Sequence, residues 1–256
     1  MNRASTLKNW ENYWEQKQEV EDVYSNIDRI IDQISAITDL KSKKVMEIGA
    51  GTGRDSFPFL QQGAEVYVLD YSPAAMRIIS RLNAENTAKV NAILGDAFTI
   101  PVADNSMDIV FHQGLLEHFK DPLTLLKENV RVLKPGGLLL VDVPQKYHYY
   151  TVIKHILIAL GKWFAGWETQ FSIHELKNLA EQSGVQVISQ YGSWKRPSLI
   201  YRIVREILLK IGIKLPLYPK GLRLIRSVRD KLRDKMSKQR WAYYTFLDIG
   251  IVARKV

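Results

Sequence analysis

The chain contains no cysteine, which excludes disulfide bonds, thiolate catalysis and cysteine-ligated metal or iron–sulfur centres. Its five histidines have none of the spacings of a metal site such as H-E-x-x-H, so no metal is expected. No apolar segment follows the first residues, which argues against a secretory signal. The longest apolar stretch, residues 151–167, is interrupted by Lys154, His155 and Lys162 and is short for a membrane span. These absences predict a cytoplasmic protein.

Positive charge is concentrated in one late segment of the chain. Residues 195–240 carry 15 Lys and Arg against three acidic residues, a local charge of +12, whereas the remainder carries −3. Amphipathic helices are predicted there from Leu199 to Ile211 and from Leu222 to Met236. Their charge is either simply solvated, or attracted to anionic lipids, or attracted to the phosphates of RNA. Peripheral contact with the inner membrane surface is therefore one expectation, and nucleic acid is the less favoured partner.

Hydrophobic runs alternate with helix-length stretches from Lys44 onward, which is typical of βαβ units around a parallel sheet. Helices are expected near 53–62, 73–86 and 120–133, and from Ser172 to Gln182. The predicted strands are 44–49, 65–70, 90–94, 107–111, 137–142, 185–191 and 243–254. This pattern predicts an α/β fold with a doubly wound sheet.

A glycine-rich turn follows the first predicted strand, with Gly49, Gly51 and Gly53 in a G-x-G-x-G pattern. Such a turn lets the backbone approach a ligand closely, although ordinary strand-to-helix connections also use glycine. Asp70 ends the next strand, where a carboxylate can accept hydrogen bonds from both hydroxyls of a ribose. Nicotinamide dinucleotide sites favour G-x-G-x-x-G/A, and Arg54 in the sixth position argues against a dehydrogenase.

Five motifs together resemble the class I S-adenosylmethionine-dependent methyltransferases, especially the small-molecule and quinone-type group. They run in order from about Val45 to Val143 and are EIGAGTGR at 47–54, LDYSP at 69–73, GDA at 95–97, DIVFHQGLLEH at 108–118 and RVLKPGG at 131–137. The resemblance implies a Rossmann-like sheet of order 3-2-1-4-5-7-6 with the last strand antiparallel. It also implies S-adenosylmethionine as cofactor and S-adenosylhomocysteine as product.

The same resemblance implies roles for individual residues. Glu47 and the backbone of Gly49 and Gly51 would surround the methionine end, Asp70 would hold the ribose and Tyr71 would lie against the adenine. Asp96 and Ala97 would meet the adenine edge, and His112 and Gln113 would pass beneath the methionine part. The full predicted cofactor set is Glu47, Gly49, Ala50, Gly51, Gly53, Asp70, Tyr71, Asp96, Ala97, His112 and Gln113.

Catalysis by such an enzyme needs a proton acceptor if the methyl acceptor is a hydroxyl or a carbon acid. His118 and His112 are the candidate general bases. The alternative for His118 is a purely structural role in stabilising its turn. His112 lies at the end of a predicted strand. Neither assignment follows from the residues alone.

The whole chain, 1–256, is expected to be one methyltransferase domain. Its predicted parts are an N-terminal helical lid (1–40), a cofactor-binding core (41–143) and helical cap insertions (144–171 and 192–240). Tyr147, Tyr149, Tyr150, Trp163 and Trp167 either line an acceptor pocket or fill the core. The predicted function is methyl transfer to a small-molecule or lipid-like acceptor, with oxygen preferred and a membrane nearby. RNA methylation and a non-catalytic cofactor-binding scaffold are the alternatives.

Overall fold

A computed structural model describes residues 5–16, 29–194, 199–216 and 231–256. Seven strands form one sheet in the order β3-β2-β1-β4-β5-β7-β6. The strands are β1 (Lys44–Ile48), β2 (Glu65–Asp70), β3 (Asn91–Leu94), β4 (Met107–Gln113), β5 (Leu133–Pro144), β6 (Val185–Ser193) and β7 (Asp248–Lys255). The strands from β3 to β5 pair in parallel, and β7 pairs antiparallel with both β5 and β6. The predicted fold and strand order are confirmed.

Eight helices accompany the sheet in the described residues. They are α1 (Leu7–Gln16), α2 (Arg29–Ser35), α3 (Phe57–Gln61), α4 (Pro73–Glu85), α5 (Pro122–Val132), α6 (Tyr149–Ala159), α7 (Ile173–Gln182) and α8 (Leu199–Lys210). A further short helix covers 231–237. Three-residue 3₁₀ turns occur at Arg54–Ser56 and Leu116–His118, and a longer one at Arg240–Tyr244. Among the described residues, every helix is too short or too polar to cross a lipid bilayer.

The central strands are buried on both faces of the sheet. Successive residues alternate between two hydrophobic cores, so that Val110 packs on one side and Phe111 on the other. Burial on both faces is why these strands read as continuous apolar runs in the sequence.

Capping residues begin three of the helices at the predicted places. The Ser72 hydroxyl accepts from the Ala75 amide at the start of α4, and the Asp121 carboxylate accepts from the Thr124 amide at the start of α5. Ser172 and Glu175 form a reciprocal capping box at the start of α7. Each cap supplies partners for backbone amides that have none within the helix.

Most boundaries differ from the prediction by at most two residues, and three elements differ more. The helix expected near 53–62 is divided into a 3₁₀ turn and the short α3. β5 begins at Leu133, because the Pro-Gly-Gly segment forms an irregularity within the strand; Leu133 pairs with Met107 and Leu138 pairs with Ile109. β7 begins at Asp248 and not at Tyr243, since 240–244 turns as a 3₁₀ helix whose Tyr243 carbonyl accepts from Gln145.

The late basic segment is only partly described. α8 confirms a helix over most of the first predicted stretch. The second predicted helix, Leu222–Met236, lies outside the described residues up to position 230. The side chains of Leu199, Ile200 and Ile203, on which the predicted apolar face depends, also lie outside them.

Arg29, at the start of α2, connects three strands at the functional edge of the sheet. Its guanidinium lies 2.7 Å from Asp142 of β5 and 2.9 Å from Asp248 of β7, and it donates to the Ser193 hydroxyl of β6 at 2.6 Å. The Asp142 side chain is only 2% exposed. This contact holds the ends of β5, β6 and β7 in one arrangement.

Candidate active site

A cavity of about 320 Å³ lies at the carboxyl ends of β1, β2 and β4. This is the edge at which doubly wound α/β proteins bind ligands. Nine of the sequence-predicted site residues line it: Glu47, Gly49, Ala50, Gly51, Asp70, Tyr71, Ala97, Gln113 and His118. The fold therefore brings together residues that are up to 71 positions apart in the chain.

The glycine turn and the end of β2 are joined directly. The Gly51 amide donates to Asp70 Oδ2 at 2.8 Å, and the Ser72 amide donates to Asp70 Oδ1 at 2.9 Å. Gly49 and Gly51 have φ values of 67° and 56°. A Cβ at Gly49 would stand 2.6 Å from Leu115, and one at Gly51 would overlap the Trp14 ring. A larger residue at either position would clash with these side chains and would strain the backbone, so glycine is required at both.

Negative charge predominates at this end of the cavity. Glu47 is buried, and its Oε2 accepts from the Ser56 hydroxyl at 2.5 Å. Burial, reinforced by the nearby Asp55, raises the pKa of Glu47 well above its ordinary value. Arg54 lies 3.4 Å from Asp55 and offsets part of this charge. A cationic ligand would relieve the repulsion among these carboxylates.

Helix α1 covers the cavity from above. Glu11 accepts from the Ser72 hydroxyl at 2.6 Å and so ties α1 to the start of α4. α1 also contacts Phe164. Tyr13 stacks on the Phe164 ring with centroids 4.6 Å apart, and Asn9 donates to the Phe164 carbonyl at 3.0 Å. Aromatic side chains from α1 and Phe164 therefore form an apolar wall over the polar floor.

The two candidate histidines lie in different places. His118 lines the cavity and packs edge-on against Trp10, with ring centroids 4.8 Å apart. Burial lowers the pKa of His118 to about 4. His112 is fully buried on β4, and burial lowers its pKa to about 3. The structure does not bring His112 to the cavity, because adjacent strand residues point to opposite faces and its neighbour Gln113 takes the cavity side.

Two further predicted residues also lie off the cavity wall. Gly53 begins the 3₁₀ turn, where a Cβ would stand 3.2 Å from Ile79, so this glycine serves the packing of the turn on α4. Asp96 lies between the lining residues Gly95 and Ala97, and its Oδ1 accepts from the Phe98 amide at 3.0 Å.

A buried polar cluster in the lining of the cavity was missed by the sequence analysis. We call Glu117, Lys154 and Glu168 the distal cluster. Lys154 Nζ lies 2.6 Å from Glu168 Oε2, and both side chains are less than 5% exposed. Trp163 Nε1 donates to the other oxygen of Glu168 at 2.7 Å. The one available signal was a lysine interrupting an otherwise apolar helix.

Glu117 completes this cluster. The Thr169 amide donates to the Glu117 carbonyl at 2.8 Å, which holds the segment carrying Glu168 beside it. Glu117 is 2% exposed, and its Oε2 has no hydrogen-bond partner among the described residues. Burial, followed by the charge of Glu168, raises the pKa of Glu117 well above its ordinary value, while Lys154 opposes the shift. This carboxyl is therefore a stronger base than an exposed glutamate.

Helix α6 buries two polar residues and exposes several apolar ones. Its two buried residues are Thr151 and Lys154. Val152, Ile153 and Ile156 are 60%, 44% and 56% exposed, and Leu160 follows at 62%. We call these four residues the outer face of α6. None of the five aromatic residues expected to form the acceptor pocket lines the cavity: Tyr147, Tyr149, Tyr150, Trp163 and Trp167.

Sequence comparisons agree with this geometry. Residues 46–141 match the family profile of a methyltransferase domain. A demethylmenaquinone methyltransferase of Renibacterium salmoninarum is 34% identical over 112 residues, which are 44% of this chain and 44% of that protein. A ubiquinone biosynthesis O-methyltransferase of Cupriavidus pinatubonensis is 28% identical over 181 residues, 68% of this chain and 72% of that protein. The matched segments span 44%, 38% and 58% of the length of three demethylmenaquinone methyltransferases that the chain resembles.

Solved structures share the fold. A SAM-dependent methyltransferase from Archaeoglobus fulgidus superposes with a TM-score of 0.60 at 15% identity, over 95% of this chain and all of that one. At this identity the likeness concerns the fold alone, and it extends beyond the segment matched by the family profile.

Proposed function

We propose that the chain transfers a methyl group from S-adenosylmethionine to an oxygen of a small-molecule or lipid-like acceptor, a proposal supported by the methyltransferase-domain match of residues 46–141 and by the relatives described above. The observation that carries the proposal is one continuous cavity. Its lining contains both the glycine turn with Asp70 and the aromatic side chains of α1 and Phe164.

The residues at the near end suit S-adenosylmethionine. The cofactor carries a sulfonium and an ammonium, and a cation of this kind would favour the ionised form of the buried Glu47 and Asp70 carboxyls. Gly49 and Gly51 have positive φ values and no side chain, and their backbone lines the cavity directly. When bound, the cofactor supplies a methyl group activated by the positive charge on its sulfur.

We assign cofactor roles to the residues that line the cavity. Asp70 would accept hydrogen bonds from the ribose hydroxyls, and Glu47 with the Gly49 and Gly51 backbone would hold the methionine end. Tyr71 and Ala97 would lie at the adenine end, with Ala50 and Gln113 completing the contacts. α1 would exclude water from the reacting groups, which favours transfer to the acceptor over side reactions.

The whole chain is proposed to act as one domain. α1 belongs to the N-terminal lid (1–40), and α6 with its neighbours belongs to the first cap insertion (144–171). The second insertion (192–240) supplies the basic segment. The close contacts of α1 and Phe164 over the cavity support the first two assignments.

We further propose that the reaction takes place beside an anionic membrane surface. Helix α6 lines the cavity through Lys154 and exposes its outer face, and residues 146–167 contain no acidic residue. Exposed apolar side chains next to basic ones are typical of helices that lie in a membrane interface. A lipid-like acceptor could reach the distal end of the cavity from that surface.

The function is tested by a search for metabolites that gain a methyl group when the purified protein and S-adenosylmethionine are added to a cell extract. A methylated small molecule or lipid, formed together with S-adenosylhomocysteine, is the expected result. Methyl groups gained only by RNA would replace the proposal with RNA methylation. If no more S-adenosylhomocysteine forms than in a protein-free control, the result would favour a non-catalytic cofactor-binding scaffold.

Membrane attachment is tested separately by flotation with vesicles. The wild type should float with vesicles containing anionic lipid and much less with neutral ones, because the charge of residues 195–240 is attracted to anionic headgroups. Ile156→Glu should reduce flotation. Ile188→Glu, at a residue of β6 that is 42% exposed, is the matched control and should leave it unchanged. Equal flotation with both lipids would contradict the electrostatic attachment.

A further inference from the structure

We propose that Glu117 takes the proton from a hydroxyl group of the methyl acceptor, and that Lys154, fixed by Glu168, positions the same oxygen. This inference rests on the proposed function and deepens it. Glu117 would be a catalytic residue, and Lys154 and Glu168 would be positioning residues. The distal cluster would thereby select an acceptor that presents an O–H group next to an apolar, aromatic body.

The geometry singles out Glu117 within the cavity. All three residues of the distal cluster line the same cavity as the glycine turn and Asp70. Glu117 Oε2 is buried without a partner among the described residues, although buried carboxylate oxygens are almost always hydrogen-bonded. A donor supplied by a bound molecule would satisfy this atom.

His118 is the less suitable base at this position. It lies beside Glu117, with Nε2 3.9 Å from Glu117 Oε1. Burial lowers the pKa of His118 to about 4 but raises the pKa of Glu117, since it disfavours the charged form of each group. The same desolvation therefore weakens the histidine as a base and strengthens the glutamate.

The Lys154 ammonium favours a hydroxyl over an amine beside Glu117. The charged groups that act on it are Lys154, Glu168 and Asp142, with the neutral His118 adjacent. Lys154 is already paired with Glu168 at 2.6 Å, and its ammonium also lies 5.5 Å from the Trp163 ring centroid. A protonated amine would meet this fixed ammonium, whereas an oxygen that gains negative charge would be stabilised by it.

The proton transfer balances as follows. The acceptor O–H bond breaks, its proton moves to Glu117 Oε2 and its electron pair remains on oxygen. That pair forms the new oxygen–methyl bond, while the electron pair of the methyl–sulfur bond remains on sulfur. Glu117 then returns its proton to water when the product leaves.

The test uses 4-nitrophenol, an aromatic hydroxyl whose ionised form absorbs visible light. The full-length protein saturated with S-adenosylhomocysteine is titrated with the probe below the probe's own pKa. The wild type should bind the probe in its ionised form. Glu117→Gln should abolish the ionisation while retaining the fold, because a neutral amide replaces a buried carboxylate of the same shape.

Further variants separate the roles. Glu168→Gln frees Lys154 and should weaken probe binding, and Glu117→Asp should restore part of the ionisation lost in Glu117→Gln. Glu181→Gln, on the exposed side of α7, is the matched control and should match the wild type. Affinity for S-adenosylhomocysteine, measured by calorimetry, should change by less than about 3-fold in all of them, because none of the substituted residues is among those assigned to the cofactor.

Two results would overturn the inference: identical ionisation of the probe in the wild type and Glu117→Gln, or no binding of the probe by a wild type that binds S-adenosylhomocysteine. Failure of the wild type to bind S-adenosylhomocysteine would instead overturn the proposed function. The two failures are therefore distinguishable in one set of titrations.

Discussion

The guanidinium of Arg29 lies 2.7 Å from the carboxylate of Asp142, in a contact where neither side chain is more than 10% exposed. Arg29 precedes every strand, whereas Asp142 belongs to β5, so the pair joins distant parts of the chain. The cavity wall continues from this point through Pro144, the last residue of β5. The stability of the site therefore depends on an ion pair that is not itself in the cavity.

Arg29→Met should lower the free energy of unfolding by about 3–5 kcal/mol, because it leaves a buried carboxylate without its partner. Chemical denaturation measures the change. Arg77→Met is the control, since Arg77 is 63% exposed and its ion pair with Glu11 should be worth less than about 1 kcal/mol. Recovery of most of the loss in Arg29→Met with Asp142→Asn would show that the unpaired charge is the cause.

The cost of Arg29→Met should depend on pH. Burial raises the pKa of Asp142 to about 7, and Arg29 opposes the shift. A carboxyl with a folded-state pKa above the unfolded value of about 3.9 binds its proton more tightly in the folded state, so stability falls as pH rises between these values. Without Arg29 the pKa of Asp142 rises further. The free energy of unfolding that Arg29→Met loses relative to the wild type should therefore be larger at pH 8 than at pH 5. A deficit independent of pH would contradict this account.

Asp70→Ala should weaken binding of S-adenosylmethionine by about 1–3 kcal/mol, since hydrogen bonds to a charged group are lost. Calorimetry with the purified protein measures the affinity. Asp104→Ala removes a carboxylate that is 67% exposed and pairs with Arg131, so it should leave the affinity unchanged. Wild-type affinity in Asp70→Ala would remove Asp70 from the binding site.

His112→Met should make the fold more tolerant of acid. Burial lowers the pKa of His112 to about 3, whereas an unfolded histidine titrates near 6.5, so the wild type loses stability as pH falls through the unfolded value. The variant should lose about 2 kcal/mol less than the wild type between pH 7 and 5. Denaturation at the two pH values measures this, with the exposed His174→Met as control. Equal acid sensitivity of His112→Met and the wild type would refute a buried neutral ring.

The sheet and the near end of the cavity were predictable from local features. Buried parallel strands produce apolar runs, and Ser72-Pro73 and Asp121-Pro122 mark helix starts by local hydrogen bonding. The strand order came from the resemblance, and the placement of Gly51 beside Asp70 followed from the parallel pairing of β1 and β2.

The distal cluster was not predictable in the same way. Lys154 and Glu168 belong to a segment after β5, and only the tertiary fold brings them to Glu117. A helical pattern shows which residues share a face, but not which face is turned inward. An amphipathic helix usually buries its apolar face, whereas α6 exposes apolar residues and buries Thr151 and Lys154.

A helix of eleven residues moves as one piece, and α6 carries Lys154 within the same three turns as Val152, Ile153 and Ile156. We therefore expect that lipid tails or a detergent micelle bound to the exterior of α6 would shift the ammonium on its interior. Purification in detergent and purification in plain buffer are thus different experiments on the acceptor pocket, and turnover should be compared in both.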